Sequence, residues 1–117
     1  MEDDTPQPLS INDVLKDAVD TWGSDSQTWM IVEELGEVLQ ALGKLARKPR
    51  NPEVEEHLCE EIADAKLMLR QAEYMFDKHG HVERYTKMKL ARLKERLRDA
   101  KIGKEKSMPL PFRRDTF

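Results

Sequence analysis

A chain of 117 residues with one cysteine, three histidines and seven aromatic rings has few of the side chains on which small-protein sites are usually built. The single Cys59 excludes an intramolecular disulfide and reads as a reduced intracellular thiol. No apolar run approaches the roughly 20 residues needed to span a bilayer. The opening MEDDTPQP is acidic and lacks the basic and apolar regions of a secretion signal. A soluble, cytoplasmic protein without a membrane partner is expected. There is no phosphate-binding Gly-rich loop and no Ser, His, Asp arrangement for nucleophilic catalysis. The Glu-x-x-His motif of di-iron bundles is absent too, because Val54, Phe76 and Lys78 stand three residues before His57, His79 and His81. These histidines read as turn and surface residues.

Charge, by contrast, is plentiful at 37% of residues. Good helix formers dominate the middle of the chain, and no stretch alternates apolar and polar residues as a strand does. The expectation is one all-α domain, a four-helix bundle-like fold over 10–102, with a flexible arm at 1–9 and an irregular tail at 103–117. A core cut from long helices in so short a chain needs a second subunit to cover it, so a homodimer or homotetramer is expected. Net charge is −3, but residues 1–64 carry 16 acids and 5 bases, and residues 65–117 carry 7 acids and 15 bases. Such a division can present an acidic site beside a basic one.

Four helices can be placed from their stop and start signals. Ser10 caps a short helix, INDVLKDAVDTW, which Gly23 stops. Ser24 or Ser26 caps a second, running to about Lys48. In KPRNP, Asn51 can cap a third helix and Pro52 suits its first position. That helix runs to about His79, with Gly80 ending it. A fourth runs from about Val82 to Lys101.

At about 100° per residue, the faces of these helices can be computed. Ile31, Leu35, Val38, Leu42 and Leu45 form one apolar stripe, widened by Met30 and Ala41. Glu34 falls inside the widened arc, Glu37 at its edge and Glu33 further out. The third helix repeats the arrangement at an offset of 27 positions: Leu58, Ile62, Ala65, Leu69, Ala72 and Phe76 make the stripe, Glu61 lies within it and Asp64 at its edge. Acid pairs on helices usually mark a solvated face. Here they share an arc with Leu, Ile and Met, twice. If the stripes face each other, Glu34, Glu37, Glu61 and Asp64 converge, and only positive charge makes that tolerable. Hard oxygen ligands without His or Cys point to Mg²⁺, or Mn²⁺.

The fourth helix carries an apolar face of Val82, Leu90, Leu93, Leu97 and Ala100. Tyr85, Lys89, Arg92 and Arg96 flank it as a single row. Such a row is either a solvated basic face or a grip for phosphate oxygens. Gln27, two turns before Glu34 on nearly the same face, Trp22, at the end of the first helix, and Tyr85 are candidates for nucleobase contact. Trp29 points away from the acids, towards a contact between subunits.

The run Glu33-Glu34-Leu35-Gly36-Glu37 followed by Glu61-Ile62-Ala63-Asp64 resembles the Glu-Glu-x-x-Glu, gap, Glu-x-x-Asp pattern of the MazG-like all-α nucleoside triphosphate pyrophosphohydrolases. The resemblance covers roughly residues 20–98 and is greatest to short, stand-alone, phage-type members. It implies a hydrolase that cleaves a nucleoside triphosphate between the α and β phosphates. It implies catalysis at residues matching Glu33, Glu34, Glu37 and Glu61, and Mg²⁺ held by Glu34, Glu37, Glu61 and Asp64. Members often carry an Asn-x-Lys pattern on the last helix. Here Lys89 matches its lysine and Lys87 replaces its asparagine, with Arg92 near a family arginine. Nucleic acid is not an expected partner on this reading. The alternative is a non-catalytic helical module that contacts nucleic acid or a protein partner through the basic fourth helix and tail.

Overall fold

The computed structural model describes residues 5–103. Beyond Gly103 the expected tail lies outside the described residues, as do the first four residues of the expected arm. Among the described residues all regular structure is helical: α1 (Ile11–Trp22), α2 (Ser24–Arg47), α3 (Pro52–Phe76) and α4 (His81–Lys101). The all-α expectation is met. No helix among these residues is long and apolar enough to cross a membrane.

The helix starts follow local chemistry. Ser10 Oγ accepts from the Asp13 N–H at 3.3 Å. Asn51 Oδ1 accepts from the N–H groups of Glu53 (3.0 Å) and Val54 (3.2 Å), and Pro52 occupies the first turn, where its missing N–H is not needed. Gly23 serves two helices at once. With φ at 88°, a region that L side chains resist, its N–H donates to Val19 O and its carbonyl accepts from Gln27 N–H. Neither Ser24 nor Ser26 is therefore the cap of α2. Ser24 is its first residue, and the Ser24 carbonyl accepts from Thr28 Oγ1 at 2.8 Å. The third helix stops at Phe76, short of the expected His79. Asp77 leaves helical dihedrals, and Gly80, in the left-handed region, caps α4.

The chain divides into two compact units, the first ending at Lys78 and the second beginning at His79. In the first unit α2 and α3, joined by residues 48–51, pack against each other as an antiparallel hairpin. The α2 seam is Gln27, Ile31, Glu34, Val38, Ala41 and Leu45; the α3 seam is Val54, Leu58, Glu61, Ala65, Met68 and Ala72. Spacings alternate between three and four, as knobs-into-holes packing requires. The two seams correspond residue for residue at the 27-position offset.

Both seams lie roughly 40° round their helices from the expected stripes. Leu35, Leu42, Ile62, Leu69 and Phe76, all expected in the core, are exposed. The physical reason is the width of the apolar arc, which exceeds what one neighbour can cover. The hairpin buries Ile31, Ala41, Val54, Leu58 and Ala65 and leaves Leu35, Leu42, Ile62, Leu69 and Phe76 outside.

The first helix docks on both arms of the hairpin. Leu15 is its one buried residue. Beside it Gln71, fully buried, donates from Nε2 to the Leu15 carbonyl at 3.3 Å, while its Oε1 has no partner. In the second unit α4 buries none of its residues. Lys87 pairs with Glu83 at 3.3 Å, and the Arg84 guanidinium lies 5.1 Å from the centre of the Tyr85 ring.

Because α1 rests on so narrow a contact, Leu15→Ala is expected to destabilise the protein by about 2 kcal/mol or more. Urea denaturation checks this. An unchanged midpoint would mean that α1 does not belong to the cooperative unit.

Candidate metal centre

Glu34 and Glu61 take the seam positions that leucine would fill in an ordinary helix pair. Both are half-buried; the Glu61 side chain is 12% exposed. One turn further along α3, Asp64 is exposed on the flank of the same face. Glu34, Glu61 and Asp64 each bring one carboxylate oxygen to within 4.8 Å of the others. Glu37, one turn after Glu34, lies in hydrogen-bonding reach of Glu61. Three of the four carboxylates expected to converge do so, and the fourth stands beside them. Glu33 is exposed on the outer side of α2.

The electrostatics follow from this crowding. Burial raises the Glu34 carboxyl above the ordinary value of 4.5, and the negative charges of Glu37, Asp64 and Glu33 add to the effect. Glu61 is raised first by its hydrogen bond with Glu37, which requires a proton on one of the two carboxyls. Burial and the charges of Glu37 and Asp64 act in the same direction, and His57 opposes them. The inner oxygens, Glu34 Oε2 and Glu61 Oε2, are buried and accept no hydrogen bond. Each is an acceptor without a donor, which is costly unless something positive satisfies it.

The donor set fits a hard divalent cation. All ligand atoms are carboxylate oxygens, and an octahedral Mg²⁺ with bonds of about 2.1 Å spans oxygens up to about 4.2 Å apart. The observed limit of 4.8 Å needs only small side-chain adjustment to close. Glu34, Glu61 and Asp64 could hold such an ion, with Glu37 completing the shell or holding a ligand.

The other expected site residues are distributed unevenly. Gln27 is 4% exposed, in the α2 seam two turns before Glu34. Trp22 is 65% exposed at the end of α1, and Trp29 is also exposed. Tyr85, Lys89, Arg92 and Arg96 lie on α4 in the second unit. Tyr85 is stacked on by Arg84, and Arg96 is half-buried.

Sequence reasoning missed His57, whose Nε2 lies 3.6 Å from Glu61 Oε1. The signal was there: His57 and Glu61 are four apart on one helix and so share a face. It also missed Lys44 and Arg47, which with Gln40, Glu37, Glu61 and His57 line a cavity of about 410 Å³.

No protein-family model matches the chain, and no curated protein or solved structure matches it either. The geometry of the acids and the pattern in which they occur therefore carry the functional argument.

Without a cation the cluster should weaken the fold. A carboxyl raised above 4.5 makes the native state hold a proton that the unfolded state has released. Its stabilising contribution is complete below pH 4.5 and is lost as pH rises through the raised value. In chelator, stability is accordingly expected to decline with pH across that window. Glu61→Gln keeps the shape and removes a charge. Thermal melts should show it a few degrees above the parent in chelator, with a smaller gain from added Mg²⁺. If it melts lower and gains as much as the parent, Glu61 is not part of a cation site.

Proposed function

We propose that this chain is a Mg²⁺-dependent nucleotide pyrophosphohydrolase of the MazG-like all-α type, cleaving a ribo- or deoxyribonucleoside triphosphate to the monophosphate and pyrophosphate. The observation that carries the reading is the placement of Glu34 and Glu61 in the hairpin seam, with orphaned oxygens beside Asp64. A helical binding module has no use for inward carboxylates. Glu34, Glu37, Glu61 and Asp64 hold Mg²⁺, or Mn²⁺ in its place. A cation bound there supplies charge neutralisation on phosphate oxygens and acidifies water.

The reaction is a substitution at phosphorus. A water oxygen bonds to the α-phosphorus, the bond from that phosphorus to the α–β bridging oxygen breaks, and pyrophosphate leaves with the bridging oxygen. Such a reaction depends on charge neutralisation and an aligned water rather than on a protein nucleophile. Glu33 orients the water, and a carboxylate of the cluster takes its proton. Lys89, Arg92 and Arg96 grip phosphate oxygens, and Trp22, Gln27 and Tyr85 contact the base.

The working form is a homodimer or homotetramer of bundle-like subunits in the cytoplasm. Support comes from the arc of Val32, Leu35, Leu39 and Leu42 on α2 and Ile62, Leu69 and Phe76 on α3, all exposed. An apolar surface of this kind on one face of a hairpin is what a second copy would cover.

Incubation with triphosphates and Mg²⁺ should yield monophosphate and pyrophosphate, and chelation should abolish the reaction. Diphosphate and orthophosphate as first products would overturn the assignment. Steeply salt-dependent nucleic-acid binding without triphosphate turnover would replace it with the binding module.

Lys89→Ala should raise KM or lower kcat while the circular dichroism stays helical. Unchanged kinetics for both Lys89→Ala and Arg92→Ala would reduce the row to a solvated face.

Light scattering at micromolar concentration should give at least a dimer mass. A fully active monomer would refute the oligomer.

A further inference from the structure

The acid cluster does not end at Glu37 and Glu61. Both line a cavity of about 410 Å³ that runs along the hairpin towards its turn, and the far wall of that cavity is basic. Lys44 and Arg47 come from the last turn of α2, Gln40 from the turn before, and His57 from the second turn of α3. His57 stands at the boundary, with Nε2 3.6 Å from Glu61 Oε1. One cavity thus joins a carboxylate end to a basic end along a single groove.

Lysine and arginine at a helix C-terminus have an ordinary explanation, since they complement the helix dipole. Two observations go beyond it. The Arg47 guanidinium folds back over the preceding turn, where its Nη1 would stand 3.6 Å from a Cβ placed on Gly43. Among the described residues, neither Lys44 nor Arg47 forms an ion pair, although the unit is rich in carboxylates. Their charge is available to the cavity they line.

We propose that Lys44 and Arg47, with His57 and Gln40, form an anion subsite that takes the pyrophosphate end of the substrate and holds the pyrophosphate product. This rests on the proposed triphosphate chemistry at the acids. It adds a direction to it. The α-phosphate lies at the carboxylates, the β and γ phosphates point towards the turn at 48–51, and the nucleoside extends towards Gln27 at the open end of the hairpin. An ammonium and a guanidinium suit this task because a terminal diphosphate offers several oxygens to charge-assisted donors in one small volume.

The test is calorimetric titration of the full-length protein in Mg²⁺ with two probes, inorganic pyrophosphate and a nucleoside monophosphate. For the double variant Lys44→Ala, Arg47→Ala, the pyrophosphate Kd should rise at least ~10-fold, while the monophosphate Kd stays within about 2-fold of the parent. Alanine favours helix at both positions, so the variant should keep its circular dichroism. If it does not, Lys44→Gln and Arg47→Gln singly carry the test. Arg47→Lys should recover most of the affinity lost in Arg47→Ala. Pyrophosphate affinity within 2-fold of the parent, or equal weakening of both probes, would overturn the subsite.

The outcome separates from that of the enzymatic reading. Normal α–β cleavage with pyrophosphate binding indifferent to Lys44 and Arg47 removes the subsite and leaves the enzyme. Pyrophosphate binding that depends on both residues, without any triphosphate cleavage, retains the anion subsite and removes the enzyme.

Discussion

Two glutamates stand where a helix hairpin would ordinarily bury leucine, and the rest of the unit is arranged around that substitution. A carboxylate in a seam loses water and gains no apolar contact. Glu34 and Glu61 occupy equivalent places in the two helices, so the cost is incurred twice at one level of the hairpin. His57 Nε2, 3.6 Å from Glu61 Oε1, lessens it on one side. Both inner oxygens are left without a donor. The seam therefore leaves room for a further donor or a cation at these two oxygens.

The same geometry sorts the outer faces. On each helix the second acid, Glu37 or Asp64, lies roughly 80° to one side of the seam, and Leu35, Leu42, Ile62 and Leu69 lie roughly 60–80° to the other. In an antiparallel pair, flanks of the same sense fall on the same side. One side of the hairpin is therefore acidic and the opposite side apolar. Gln71 lies on the acidic side, so α1 docks at the open end there and the apolar side stays uncovered. A second copy could bind the apolar side without obstructing the acids. The 27-position repeat is the sequence trace of this arrangement, since each helix contributes one seam glutamate, one flank acid and one flank of large aliphatics.

What could be read from the sequence was local. Ser10, Asn51 and Pro52 mark helix starts because a cap is decided by one or two side chains and the nearest N–H groups. The acid pairs were legible because spacing alone puts them on a face. The core was legible only to within a rotation. Periodicity identifies an apolar arc, and when that arc is wider than one neighbour it does not say which part the neighbour covers. Weighting by hydrophobicity centred the arc on Leu35 and Leu42, which lie exposed, while the packed seam turns towards Ala41 at its edge. Ser24 misled because it is a good cap residue, but the positive φ of Gly23 puts the turn one residue earlier, and the Gly23 backbone already serves both helices. Lys44 and Arg47 went unread for a different reason. Their place beside Glu61 and His57 depends on the antiparallel return of α3 after residues 48–51, which no window along one helix can reveal.

On the proposed function, this arrangement would set stability against activity at two identifiable positions, Glu34 and Glu61. A leucine at either seam site would bury apolar area, remove an orphaned acceptor and relieve like-charge repulsion, so the hairpin would tighten. It would also remove one carboxylate from the cluster of Glu34, Glu61 and Asp64. The remaining core in this unit is limited: among the described residues, Leu15, Ile31, Ala41, Val54, Leu58 and Ala65 are the buried apolar ones. A fold with so little apolar burial can carry two seam glutamates only if other contributions offset them. On the proposed reading, a cation in the seam and a second copy over the apolar face would be two such contributions, acting on opposite sides of the same pair of helices. Occupancy of the site and burial of the outer aliphatics should therefore reinforce each other, because both hold α2 and α3 in the register that brings Glu34 to Glu61 and Asp64.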